Sequence, residues 1–340
     1  MEHISQLLYQ ISSLLMSLLM TIGAITIPST DNLLVNIAED TVMDFVVIGD
    51  TQVCDYLPSR EKALISLSKD IRNSEIELDA FIIAGDIAEN GMQQEFDRVY
   101  DHISDFNTKN YIMVAGNHDI RLREYEQCKD RLLTFMNDLN KGENPQNSLH
   151  YKYEVNGYTF LVMASDDADF EKATIGDAQL QWLNIELKAA SKEGKPVFVI
   201  CHYPLAESHG LPGTWGSESG EDPTIPLPTY ERKDSYDITG SIGYDSNRVY
   251  DVISKYKNVV FITGHLHTGF GKDSYQVLNE ENNVIGINVP SVGIENKDGV
   301  YNGTGTGYFV EVTPDAVYFR ARDFSKGVNL TDFDIVIDVK

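Results

Sequence analysis

Cysteine is scarce in this 340-residue chain, and basic side chains are outnumbered almost two to one. The three cysteines, Cys54, Cys128 and Cys201, show no CxxC spacing, which excludes a zinc knuckle and a disulfide framework and leaves at most one disulfide open. Cys201 lies in an apolar run and reads as a small core residue. Lys and Arg number 27 against 52 Asp and Glu, with no basic run or stripe that could follow a phosphate backbone. No nucleic-acid partner is therefore expected. A small phosphate compound would need positive charge supplied locally, and a metal centre can do that. There is no internal repeat and no linker that divides the chain, and a 42% hydrophobic content fits an ordinary globular α/β protein.

Charge is also missing from Ile11 to Ile27, ISSLLMSLLMTIGAITI. This run suits the core of a signal peptide better than the roughly 20 uninterrupted apolar residues of a membrane-spanning helix. Residues 1–30 are expected to be a signal peptide or N-terminal hydrophobic segment, which places the protein in an extracytoplasmic or secreted setting. Contact with a membrane is then expected only through this segment, if it is uncleaved. The first basic residue of the chain is Arg60 and no A-x-A cleavage site follows the run, so an amphipathic N-terminal helix on a cytoplasmic protein stays open as the alternative.

After the leader, apolar or β-branched runs recur between amphipathic segments: DFVVIG, AFIIAG, YIMVAG, TFLVMAS, PVFVIC and NVVFITG. Helical periodicity at Glu61–Asn73 and Gln93–Phe106 gives the alternation of βαβ units. A further helix is expected at Asp177–Ala190, capped by Asp177, with Leu180, Leu183 and Leu187 on one face. Tyr151–Ala164 reads as a hairpin turning at Asn156-Gly157. Val284–Val289 and the alternating stretch around Pro314-Asp315 point to a second sheet near the C-terminus. Residues 209–247, rich in Gly, Pro, Ser and Asp, are expected to be a loop insertion between two neighbouring strands, where Trp215 could stack on a substrate or pack inside the loop.

Five of these six apolar runs are followed by side chains read as metal-capable. Asp50 and Gln52 follow VVIG, Asp86 follows AFIIAG, Asn117, His118 and Asp119 follow YIMVAG, His202 follows PVFVIC, and His265 and His267 follow NVVFITG. Gly-Asp and Asn-His-Asp are ordinary turn sequences taken singly. Of the 8 histidines in the chain, however, four stand at such strand ends. In α/β sheets the carboxyl ends of strands form the ligand crevice, so residues distant in sequence converge there. Two carboxylates, two amide oxygens and three imidazoles exceed the needs of one closed zinc site and suit two divalent ions such as Mn, Fe, Zn or Co. A shared carboxylate would hold such ions roughly 3.5–4 Å apart. The acidic loop residues Asp166, Asp167 and Asp169 read as solvated charge or, alternatively, as a calcium site.

GDTQ, GDIAENG, GNHD, the histidine of CHYP and GHLH resemble, in order, the five motifs of the calcineurin-like metallophosphoesterase superfamily, over about Phe45 to Thr268. The resemblance implies a four-layer α-β-β-α sandwich, two mixed β-sheets flanked by helices, with a domain spanning 42–325. It implies two metals bridged by Asp86, with Asp50, Gln52 and His267 at the first site and Asn117, His202 and His265 at the second. His118 matches the histidine that meets substrate and protonates the leaving group, and Glu89 the acid that orients it. The implied activity is hydrolysis of a small phosphomonoester or phosphodiester, cyclic nucleotides included, by a hydroxide bridging the metals. A binding protein of the cell envelope, inactive but stiffened by metal, is the alternative. Two departures stand out. Gln52 replaces the usual histidine of the first motif, and Ile87–Glu89 offers no tyrosine ligand, so a coloured iron–tyrosinate centre is not expected.

Overall fold

The computed structural model describes residues 33–121, 124–169, 172–209, 222–233 and 239–340. The hydrophobic segment 1–30, Trp215 and much of the insertion lie outside the described residues. Among the described residues, no helix is long and apolar enough to cross a membrane.

The strands are β1 (Met43–Ile48), β2 (Ala80–Ile83), β3 (Tyr111–Met113), β4 (Tyr151–Val155), β5 (Tyr158–Val162), β6 (Val197–Ile200), β7 (Val259–Thr263), β8 (Tyr275–Asn279), β9 (Val284–Asn288), β10 (Thr306–Val312), β11 (Ala316–Asp323), β12 (Val328–Asn329) and β13 (Ile335–Asp338). The helices are α1 (Pro58–Ser74), α2 (Gln93–Ile103), the single turn α3 (Asn117–Ile120), α4 (Tyr125–Leu139), α5 (Asp177–Ala190) and α6 (Ser246–Ile253).

All six apolar runs form strands. β1, β2, β6 and β7 are buried at every position, which is why they read as continuous apolar sequence and not as alternation. Two mixed sheets result, a seven-stranded one in the order β12-β11-β10-β1-β2-β3 with β13 on β11, and a six-stranded one in the order β4-β5-β6-β7-β9-β8. They face each other through a shared core in which Phe45 of β1 meets Phe160 and Phe198 of the other sheet edge-on, at centroid distances of 5.5 and 5.4 Å. Each of the three rings is fully buried and contributes about 2–3 kcal/mol by transfer from water. The core continues to Leu64, Leu67 and Ile71 of α1 and Phe96, Val99 and Ile103 of α2, so those helices cover the outer face of the first sheet. A second core joins Leu180, Leu183 and Leu187 of α5 and Val249 and Ile253 of α6 to the outer face of the other sheet. The layers are therefore α-β-β-α.

Three local readings change. Asp177 is not the cap of α5. Gly176 is, and the Asp177 carboxylate instead pairs with Arg248 on α6. The C-terminal strands build no sheet of their own: β9 lies beside β7, whereas the β10-β11 hairpin adds antiparallel to β1 in the first sheet. Cys54 and Cys201 are buried free thiols, which leaves no pair for a disulfide. The Asn156-Gly157 turn is as read, with φ of 49° and 75° closing the β4-β5 hairpin.

Candidate metal centre

β1, β2 and β3 run parallel in one sheet, and β5, β6, β7 and β9 run parallel in the other. Their carboxyl ends meet at one rim, so the site draws on both sheets of the sandwich. Asp50, Gln52, Asp86, Asn117 and His118 come from the first sheet, and His202, His265 and His267 from the second.

Hydrogen bonds between the loops fix this rim. Beyond β1 and β2 the backbones stay paired, Asp50 N to Gly85 O (3.1 Å), Gln52 N to Asp86 O (2.9 Å) and Glu89 N to Val53 O (3.2 Å). The loop after β9 clamps Asp50 from the other side, with Gly293 N and Ser291 Oγ donating to its carbonyl at 2.9 and 3.0 Å. Asp119 accepts from the backbone N–H groups of Ile87, Ala88 and Gly116 and so ties the β2 loop to the β3 loop. Two glycines permit the close approach. A Cβ at Gly85, where φ is +98°, would lie 2.3 Å from His202 Nδ1, and one at Gly116 would lie 2.1 Å from Asp86 Oδ1.

Asp50, Gln52, Asp86, His265 and His267 all adopt left-handed backbone, with φ between 40° and 73°. Non-glycine residues there carry strain of roughly 1–2 kcal/mol each. Asp50, Gln52 and His202 are fully buried, and Asp86, Asn117 and His265 nearly so.

The side chains form two groups that share one carboxylate. Ligand atoms of Asp50, Asp86 and His267 lie within 4.8 Å of one another, as do those of Asp86, His202 and His265. In the first, Asp50 Oδ1 is 3.2 Å from His267 Nε2. In the second, His202 Nδ1 donates to Ala84 O (2.9 Å), which leaves Nε2 to face Asp86 Oδ2 (3.3 Å), Asn117 Oδ1 (3.2 Å) and His265 Nδ1 (3.1 Å). One ring proton cannot satisfy all three neighbours. Gln52 Nε2 donates to Asp86 Oδ2 at 3.3 Å, and Gln52 Oε1 is buried with no hydrogen-bond partner. A buried acceptor of this kind costs about 1–3 kcal/mol unless something fills its demand. Lone pairs converge here in excess of protons, and the residues therefore fit a pair of cations.

Ionisation follows the same geometry. Burial opposes the Asp86 charge, but the imidazoles of His202 and His118 outweigh it and hold the carboxyl well below the usual range. His202 is raised to about 9 although burial opposes its charge, chiefly because Asp86 lies beside it. Burial and the neighbouring His202 push His265 the other way.

His118 stands at the edge of this cluster, its Nε2 4.0 Å from Asp86 Oδ2. Its main-chain N–H donates to Asp86 Oδ1 (2.9 Å). Its Nδ1 lies 2.9 Å from Glu89 O and 3.2 Å from Glu89 Oε2, two oxygens that can only accept against the single donor Arg121 Nη2, so the proton is assigned to Nδ1 and Nε2 is the nitrogen on the Asp86 side. Burial lowers the imidazole's basicity, Asp86 and Glu89 more than restore it, and the net shift is upward. Two neighbours escaped the sequence reading. Arg121 Nη2 lies 3.1 Å from His118 Nδ1, and Arg60 ion-pairs with Glu89. The absence of any earlier basic residue singled out Arg60 in the sequence, yet nothing there linked it to the rim.

Among the described residues, the acidic stretch after β5 forms no cage. Asp166 accepts from Gly176 N and Gln179 Nε2, Asp167 from Ser165 Oγ and Thr174 Oγ1, and Asp169 pairs with Lys172.

The fold is similar to a dimetal phosphatase from Danio rerio, with a TM-score of 0.59 and 13% identity over 88% of this chain and 100% of that one. It is also similar to purple acid phosphatase PPD1 from yellow lupin (Lupinus luteus) seeds, at 0.58 and 17% over 87% of this chain and 53% of that one, about half its length. No curated protein matches the sequence. The family model for calcineurin-like phosphoesterase matches residues 43–269, two-thirds of the chain and every candidate ligand. The chain belongs to the calcineurin-like phosphoesterase family and is a hydrolase of phosphoester bonds.

Proposed function

We propose that the rim holds two divalent metal ions bridged by Asp86 and hydrolyses small soluble phosphoesters, with His118 as the proton donor to the leaving group. The observation that carries this reading is the sharing of Asp86 by two ligand groups, Asp50–Asp86–His267 and Asp86–His202–His265. Gln52 would add its amide oxygen to the first group and Asn117 its amide oxygen to the second. When bound, two such ions supply Lewis acidity toward the phosphoryl oxygens and activate water as the nucleophile. The chain's own part is to place the proton. Glu89 fixes the His118 ring through Nδ1, so Nε2 faces the position of a departing alkoxide beside Asp86. The neighbouring carboxylates favour the imidazolium that can give that proton. An inactive metal-stiffened binding protein would have no use for the oriented imidazole.

The acidic surface favours small substrates over long polyanions. Export is proposed from the uncharged run at 11–27, and an intact Met1 on a cytoplasmic form would sink it.

Elemental analysis together with turnover of p-nitrophenyl phosphate and bis-p-nitrophenyl phosphate, with Mn or Zn and then with EDTA, tests the reading. The expected result is two metal equivalents, activity abolished by the chelator, and loss of both equivalents in Asp86→Asn. Turnover indifferent to the chelator, or one equivalent at full activity, overturns it.

A further inference from the structure

Arg60 sits in the first turn of α1, which Pro58 opens, and its backbone N–H donates to Leu57 O. Its side chain turns back over the rim and is largely covered, with 15% of its surface exposed. Nη1 meets the Glu89 carboxylate and also donates to Gln52 O at 3.2 Å. Glu89, itself 12% exposed, reaches His118 Nδ1 from the same Oε2 at 3.2 Å. One guanidinium therefore links the loop after β1, where Gln52 is held at a φ of 40°, to the carboxylate that orients the imidazole on the loop after β3.

We propose that Arg60 is a positioning residue for leaving-group protonation, holding Glu89 in the rotamer that aims the His118 ring while fixing the main chain at Gln52. This rests on the reading of His118 as proton donor. Without Arg60, Glu89 keeps only one ionic partner and is free to rotate toward solvent. The ring then retains its bond to Glu89 O but loses the second bond that sets its tilt. Lysine preserves the charge, but its compact ammonium on a different stem does not reproduce the rigid placement from which Arg60 Nη1 meets both acceptors.

The consequence is selective. A misaimed proton donor matters little when the departing group is a weak base such as p-nitrophenolate and matters greatly when it is an alkoxide. The test compares Arg60→Met and Arg60→Lys with the wild type on p-nitrophenyl phosphate and glycerol 2-phosphate, or on bis-p-nitrophenyl phosphate and a 3′,5′-cyclic nucleotide if diesters are the substrates. The alkyl ester should lose about tenfold or more in kcat and the nitrophenyl ester less than about threefold, part of the 10²–10⁴ that general acids supply. Metal content should be unchanged, and lysine should recover part of the loss. Equal losses on both esters, or none on either, overturn the proposal. Should Arg60→Met fail to fold, the same ratio is read from Arg60→Lys.

A second readout needs no turnover and separates this proposal from the metal reading. The imidazole N–H proton signal of His118, assigned by its loss in His118→Gln, should broaden or vanish in the Arg60 variants. A signal unchanged in both position and exchange rate overturns the role given to Arg60 even if the enzyme is metal-dependent.

Discussion

Replacing His118 by alanine isolates the proposed proton donor from the proposed metal site, because the two are joined through the backbone. The bond that His118 gives to Asp86 Oδ1 comes from its main-chain N–H, which alanine keeps. The side chain contributes Nδ1–H to Glu89, and losing that charged hydrogen bond costs about 1.5–3 kcal/mol at most. Glu89 is not stranded, since Arg60 still pairs with it. The variant should therefore fold and bind metal as the wild type does. Its turnover should fall by roughly 10²–10⁴, the contribution of a positioned general acid. That loss corresponds to about 2.7–5.4 kcal/mol of transition-state stabilisation at 1.36 kcal/mol per tenfold. Elemental analysis and steady-state kinetics on the same preparation are the assay. A double variant with Arg60→Met should be no slower on the alkyl ester than His118→Ala alone, because residues that act as a unit are not additive. Unchanged turnover, or activity lost only in proportion to metal, would refute the reasoning.

Two further outcomes follow from the same geometry. Gln52→His replaces a neutral amide oxygen by an imidazole, so it should slow the loss of one metal equivalent during dialysis by about tenfold or more, the scale on which even outer neighbours tune affinity; equal loss from both proteins would count against Gln52 as a ligand. In the metal-free protein the His202 imidazole is held up to about 9 from its ordinary 6.5, against burial and because of Asp86. The stabilisation from that pair is complete below the unfolded value and disappears as pH rises through the folded one. The melting temperature of the stripped protein should fall between pH 6.5 and 9, and His202→Asn should flatten that fall. A melting curve that is level across this window in the stripped wild type would contradict the His202–Asp86 pairing.

Strand interiors were legible in the sequence because burial on both faces writes itself as unbroken apolar text, as in Phe45–Ile48 and Val259–Thr263. The candidate ligands were legible because each follows such a run. What a strand pairs with is a different matter. The alternation of β10 and β11 announces a hairpin, but nothing local says that it will lie against β1, more than 250 residues earlier in the chain. Charged side chains were misread for the same reason. Asp177 looked like a cap, but its partner is Arg248, 71 residues further on. Arg60 was noted only as the first basic residue of the chain, and its partners stand on two other loops.

The deepest omission is conformational. Gly-Asp reads as an ordinary turn dipeptide and nothing local marks Gly-His, yet the strained residue is the candidate ligand that follows the glycine: Asp86 at 51° and His265 at 73° occupy backbone that glycine would hold at less cost. Five candidate ligands carry that strain, Asp50, Gln52 and His267 besides these two, where a glycine would offer no side chain to bind with. The same rim crowds buried lone pairs together, Gln52 Oε1 without any partner. At Gln52 a left-handed backbone and an unmet buried acceptor fall on one residue, a combination that a cation at the rim would offset, and that coincidence appears only once distant loops are brought into one place.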